Sequence, residues 1–123
     1  MFTKPVVALV DSKCMSSGQG LALGIKNLPN GKTLGDYGTN GSFGLAGDAA
    51  VMPGGIEIKW PYGRSLDKNK RIQVDSNGNS GGVTPTVLVP VNQENRLRAI
   101  RGEDVELEQA VRLISSSASF SGE

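Results

Sequence analysis

Histidine is absent from this sequence of 123 residues, and cysteine occurs once, at Cys14. Without histidine, a Ser-His-Asp triad cannot be assembled within the chain. A lone cysteine forms no internal disulfide, which leaves the redox compartment open, and no metal site or cofactor is read. Neither charge sign is in excess: 13 Lys+Arg stand against 12 Asp+Glu, a net charge of +1. Nucleic-acid binding rests on clustered cations that release counterions, and no such cluster occurs. No segment approaches the ~20 apolar residues of a membrane span. The opening Met1-Phe2-Thr3-Lys4-Pro5 lacks the apolar run of a signal peptide. Aromatic residues are few, and Trp60 and Tyr62, beside Lys59 and Arg64, are expected to pack a β-region and make no base-stacking platform.

Glycine, by contrast, is plentiful. Its 17 occurrences are roughly twice the ~7% average, and they follow no fixed period, so tight turns are implied and no collagen or solenoid repeat. The length suits one domain, or part of one, with a single modest core.

The apolar run Val6-Val7-Ala8-Leu9-Val10 reads as a strand buried on both faces. A core strand so close to residue 1 suggests a piece of something longer. Ser16 to Asn27 reads as a helix with Leu21, Ile25 and Leu28 as its apolar stripe, ended by Pro29-Asn30-Gly31. Lys32-Thr33-Leu34 is a short strand leading into the loop 35–42. This strand-helix-strand start predicts a parallel pair with a crossover helix, hence an α/β fold. Ala49-Ala50-Val51-Met52, the turn Pro53-Gly54-Gly55 and the alternating Ile56-Glu57-Ile58-Lys59-Trp60 predict a β-hairpin. Arg71-Ile72-Gln73-Val74 and Thr86-Val87-Leu88-Val89 add short strands, with 75–82 as a loop. Leu107, Ala110, Val111 and Ile114 define a C-terminal helix, with Glu103, Asp104 and Glu106 at its start and Arg112 near its end. The serine-rich stretch 115–123 is expected to be disordered.

Several residues are candidates for chemistry. Ser16 opens a helix directly after a strand and loop, where unpaired N–H groups and the helix dipole favour developing negative charge. The same residue begins Ser16-Ser17-Gly18-Gln19, which fits an S-x-x-Q capping box. As a nucleophile Ser16 requires a general base, and a Ser-Lys arrangement or a base from elsewhere are the options left. Gly18, Gly20 and Gly24, with Asp36 after the second strand, resemble a relaxed dinucleotide fingerprint, although Gly18 comes seven positions after Asp11. Cys14 reads as a small buried hydrophobe. Gly38-Thr39-Asn40-Gly41-Ser42 is either a phosphate nest or a mobile loop, and it lacks the ending of a P-loop.

Taken in order, these motifs resemble the C-terminal part of the catalytic domain of the S41 serine peptidases, the tail-specific or C-terminal processing proteases. The family's Ser-x-x-Glu at a helix start corresponds to Ser16-Ser17-Gly18-Gln19, and its Gly-Glu or Gly-Asp pair to Gly35-Asp36. Its hairpin and Gly-Arg-Ser motif are similar to 53–58 and Gly63-Arg64-Ser65-Leu66-Asp67. Gly82-Val83-Thr84-Pro85 and Gly102-Glu103-Asp104, the latter with Leu107 and Ala110, complete the series. The resemblance implies a ClpP/crotonase-like fold over residues 1–114 and peptide-bond hydrolysis of a polypeptide substrate. It further implies Ser16 as nucleophile, the Ser17 N–H in the oxyanion hole, and Gly38, Thr39, Asn40, Gly41 and Ser42 as the substrate loop. A periplasmic or extracytoplasmic location follows from the same resemblance. Two departures are evident: no lysine stands in the glycine-rich loop, and Gln19 replaces the glutamate. The base is therefore expected from outside this chain, in a missing N-terminal part or a partner. Alternatively the chain is a non-catalytic peptide-binding relative. An incomplete core would also leave apolar surface for self-association.

Overall fold

Val6–Leu9 forms strand β1, Ser17–Lys26 helix α1 and Gly31–Gly35 strand β2. In the computed structural model β1 and β2 run parallel, in register from Val6 opposite Gly31 to Leu9 opposite Leu34, with α1 as the crossover. The expected strand-helix-strand start is therefore present. The structure describes residues 3–41, 44–45, 47–64, 66, 69–70 and 82–116. The expected strand 71–74, most of the loop 75–82, Ser42, Ser65, Asp67 and residues 117–123 of the tail lie outside them.

Further along come β3 (Gly44–Leu45), β4 (Ala49–Val51), β5 (Glu57–Lys59), β6 (Gly63–Arg64) and β7 (Val87–Leu88). Two helices follow, α2 (Gln93–Ile100) and α3 (Val105–Ser115). The main sheet has the order β1-β2-β7, with β7 parallel to β2 through Leu34 opposite Val87 and Gly35 opposite Leu88. β3 and β6 form an antiparallel pair, and β4 and β5 form the expected hairpin, Ala49 opposite Lys59. The architecture is mixed α/β.

Two apolar clusters flank the main sheet. Val10, Ala22 and Val83 pack with Leu23 under α1. Leu34, Val89 and Ala110 pack with Val7, Val87, Val105 and Leu113 under α3. Alternating strand residues point to opposite faces, so α1 and α3 cover opposite sides. Along the contact with β7, Thr33 and Thr86 bind reciprocally: the Thr86 N–H donates to Thr33 Oγ1 at 3.0 Å and the Thr33 N–H to Thr86 Oγ1 at 3.3 Å.

Several packing expectations are corrected. β1 is an edge strand with Leu9 exposed, and the strand closed on both sides is β2, where Thr33, Leu34 and Gly35 are buried. The stripe Leu21-Ile25-Leu28 is not the inward face of α1, since Leu21 is 67% exposed and Leu28 is exposed as well. Gln19 and Ala22 face inward instead, because the bonds of Gln19, described below, set the rotation of the helix. On α3, Ala110 is buried as expected, whereas Leu107, Val111 and Ile114 are exposed and Val105 and Leu113 take their place. Trp60, directly after β5, and Tyr62, between β5 and β6, are 45% and 74% exposed and belong to neither apolar cluster.

Helix α2 lies between 93 and 100, where the sequence shows no apolar stripe. Asn92 caps it by accepting from the Asn95 N–H at 2.8 Å. Arg98 then joins it to α3 through ion pairs with Glu103, at 2.7 Å, and with Glu108, which also pairs with Arg112. With Leu97 and Ile100 exposed, the helix is held by such pairs and caps. Its signal was the Asn92 cap with Glu94 in the first turn, a pattern that apolar periodicity misses.

Candidate functional site

The loop from Asp11 to Ser16 leaves the C-terminal end of β1 and delivers the chain to the start of α1. Asp11 shapes it: Oδ1 accepts from the N–H groups of Lys13, at 2.9 Å, and Cys14, at 3.0 Å. Short acidic side chains favour such turns because they mimic a backbone acceptor. Ser16 ends the loop with φ 51° and ψ −122°, a conformation that side chains with a Cβ seldom adopt and that costs roughly 1–3 kcal/mol. Its side chain is exposed and makes no cap hydrogen bond.

The capping-box expectation is thereby corrected. Ser16 contributes its carbonyl, which accepts from the Gln19 N–H at 3.0 Å and the Gly20 N–H at 3.3 Å. The Ser17 N–H, the first of the helix, makes no hydrogen bond among the described residues. A hydroxyl held outward at a helix start, beside an N–H and the positive end of the dipole, is a suitable arrangement for stabilising an oxyanion.

Gln19 turns inward, with 0% exposure. Its Oε1 accepts from Thr39 Oγ1 and from the Gly41 N–H, both at 2.7 Å. Thr39 Oγ1 in turn accepts from the Val83 N–H at 2.7 Å, and the Thr39 N–H donates to the Val83 carbonyl at 3.1 Å. The Asn40 N–H donates to the Cys14 carbonyl at 2.9 Å, and Asn40 Nδ2 to the Ser12 carbonyl at 3.4 Å. Residues 38–41 are thus tied to the Ser16 loop. Gly38 is buried and the Thr39 hydroxyl is spent inside the protein, so among the described loop candidates Asn40 and Gly41 keep surface beside Ser16. Gly82 touches the same knot, since a Cβ there would lie 2.1 Å from the Thr39 carbonyl oxygen.

A cleft of about 460 Å³ opens at the C-terminal ends of β1, β2 and β7, against α2 and the start of α3. Asp11, Asp36, Arg96 and Glu106 line it together with the apolar Val89, Val91, Ala99 and Val105. Ligand sites of parallel sheets gather at this edge. Asp11 links the cleft to the Ser16 loop, while Ser16 itself does not line it. The Asp36 carboxylate pairs with Arg96 at 3.4 Å, and the Asp36 N–H donates to Glu106 Oε1 at 3.0 Å. Burial foremost holds the Glu106 carboxyl above the usual carboxylate range. The hydrogen bond from Asp36 opposes that rise, and the nearby charges of Asp36, Asp104 and Asp11 add to it.

The other sequence candidates are placed as follows. Gly18, Gly20 and Gly24 all lie inside α1, not in a strand-to-helix turn, so they form no phosphate-binding fingerprint. Asp36 stands at the end of β2 as a ribose-binding acid would, but its carboxylate is engaged by Arg96. The Cys14 thiol is raised above its ordinary value by burial and then by the charge of Asp11, the reverse of what a thiolate nucleophile needs. Lys26 donates to the Thr84 carbonyl at 2.8 Å from the far end of α1, roughly 15 Å along the axis from Ser16 at 1.5 Å per residue. Lys32 lies near the start of the central strand β2, at the opposite end of the strands from the loop that delivers Ser16. Lys13 is near Ser16 in sequence but exposed, whereas a lysine acting as base needs a desolvated setting. Among the described residues, no group of three or more Asp, Glu or Cys is placed to hold a metal ion. Nor is any described helix long and apolar enough to cross a membrane.

No family model and no curated protein matches the chain. Among solved structures it is similar to the crystal structure of "a putative peptidase from Parabacteroides merdae", with a TM-score of 0.68 and 24% identity. The likeness covers 92% of this chain and 32% of the other, so the chain spans about a third of that protein's length. At that level of identity the two share a fold.

Proposed function

We propose that residues 1–114 form part of a serine peptidase catalytic domain of the S41 type, with a ClpP/crotonase-like fold and Ser16 as nucleophile. One observation carries the reading: Ser16 holds φ 51° and ψ −122° at the start of α1 with no cap bond to justify it. Backbone strain at an exposed serine between strand and helix is the device by which a nucleophile is presented to substrate. The motif order from Ser16 to Ala110, and a fold shared with a protein described as a peptidase, support it.

In the proposed reaction Ser16 Oγ attacks the scissile carbonyl carbon and its proton passes to a general base. The carbonyl π pair moves to oxygen, and the Ser17 N–H and the helix dipole stabilise that charge. The intermediate collapses to an acyl-serine as the C–N bond breaks, with the amine leaving protonated. Water then repeats the sequence to release the carboxylate. No base is in place beside Ser16 among the described residues, since the chain has no histidine and Lys26 and Lys32 stand away from Ser16; the base is then taken from another segment or a partner. A polypeptide substrate would cross the rim made by Asn40 and Gly41. The lack of a base beside Ser16 among the described residues also favours a second reading, a relative that binds peptide without cutting it, in which Ser16→Ala leaves binding intact.

The test supplies the base externally. The chain is treated with a fluorophosphonate probe, with and without imidazole, and the modified serine is mapped by peptide mass. Labelling is expected to be slow alone, accelerated by imidazole above its pKa, confined to Ser16 and abolished by Ser16→Ala. Labelling spread evenly over Ser12, Ser16 and Ser17, or no faster than in the denatured chain, would refute the assignment.

A further inference from the structure

The hydrogen bonds of Gln19 have a use beyond filling the interior. We propose that Gln19 is a positioning residue that holds Ser16 and the 38–41 rim in one fixed relation, an inference that rests on Ser16 being the nucleophile. Gln19 stands three residues after Ser16 on α1 and is fully buried. One oxygen, Oε1, receives both the Thr39 hydroxyl and the Gly41 N–H at 2.7 Å. The loop so captured reaches back to the carbonyls of Ser12 and Cys14, in the turn that delivers Ser16. The circuit therefore closes: helix start to Gln19, Gln19 to the rim, and rim to the loop before Ser16.

A buried amide is costly to keep unless its partners are met, and an apolar side chain would pack the same space without that demand. What the polar version adds is a single geometry, because satisfied buried networks rigidify what they join. The oxygen does the joining here, so a carboxylate in its place accepts from the same two donors, whereas leucine accepts from neither. Thr39 is the second member, since its hydroxyl both donates to Gln19 and accepts from Val83 at 2.7 Å.

The test measures fluorophosphonate inactivation at Ser16 in the presence of imidazole, resolving the probe's binding constant from its maximal rate. Misplacement of a reacting group by about 1 Å can lower a rate on the order of 100-fold. Gln19→Leu is expected to lower the maximal rate at least ~10-fold with little change in probe binding, and to speed hydrogen exchange at Asn40 and Gly41. Gln19→Glu is expected to restore the rate. Because Gln19→Leu could prevent folding, Thr39→Val and Thr39→Ser form a second pair, the first expected to lose the rate and the second to keep it. If wild-type Ser16 reacts, and the folded Leu or Val variant reacts within about twofold of it, the positioning role is overturned while the nucleophile stands. If wild-type Ser16 does not react at all, both fall together.

Discussion

Replacing Ser16 by glycine should make the protein more stable, and the size of the gain follows from its backbone. Ser16 sits at φ 51°, where a Cβ is strained by roughly 1–3 kcal/mol. Glycine relieves that strain but widens the unfolded ensemble, at a cost of about 0.5–1 kcal/mol. The difference is a net gain of up to about 2.5 kcal/mol, centred on ~1 kcal/mol. For a chain of this length that raises Tm by roughly 3–5 °C per kcal/mol. Ser16→Ala separates this account from ordinary capping. Alanine keeps the Cβ and the strain, and no side-chain cap bond is lost, so its stability should stay within about 0.5 kcal/mol of wild type. A serine that capped the helix would lose ~1 kcal/mol on the same change. Urea unfolding of the three proteins, with midpoints compared at constant m, reads the result. A glycine variant no more stable than the alanine variant would refute the strain, and with it the observation that carries the proposed function.

Gly35→Ala places a Cβ 2.1 Å from the Val10 carbonyl oxygen. It should destabilise by about 1–3 kcal/mol or more, and an unchanged urea midpoint would show that the β1–β2 contact yields. The Glu106 carboxyl is raised in the folded state, so folding favours its protonated form. Its contribution is present at low pH and is lost as pH rises from the unfolded value through the folded one. Glu106→Gln keeps the acceptor for Asp36, so unfolding from pH 3 to 8 should show it gaining on wild type as pH rises; a parallel pair of curves would contradict this. Glu108 behaves oppositely: its carboxyl is lowered, chiefly by the hydrogen bond from Arg98. Its contribution is present above the unfolded value and lost as pH falls through the folded one, so Glu108→Gln should flatten the acid limb. The raised Cys14 thiol should react with iodoacetamide near pH 8 more slowly than a free cysteine peptide, and faster reaction would disprove its shielding.

Local patterns were legible wherever neighbours in sequence are neighbours in space. The β1-α1-β2 unit, the β4–β5 hairpin and helix α3 follow from apolar runs, a Pro-Gly-Gly turn and an acidic helix start, all of which act over a few residues. Ser16 was readable as the residue that opens α1, and Asp36 as the one that closes β2. Helix α2 was not, because its stability comes from Asn92, Arg98 and the acids of the next helix, with no apolar period to reveal it. The faces of α1 and α3 were also misjudged. Apolar residues at helical spacing show which stripe could be buried, while the partners decide which one is.

The sequence by itself determined the order of elements, the parallel start and the absence of an internal histidine base, because these are properties of residue type and local spacing. Only the tertiary structure decided what Ser16 and Gln19 are. The capping-box spelling admits a reciprocal pair, and the fold separates them. Thr39 and Gly41, some twenty residues away, offer Gln19 two donors inside the protein, and a buried acceptor is held by its strongest available donors. Gln19 is thereby drawn inward, and Ser16 is left outward on a strained backbone at the head of α1, its side-chain oxygen unclaimed by any cap.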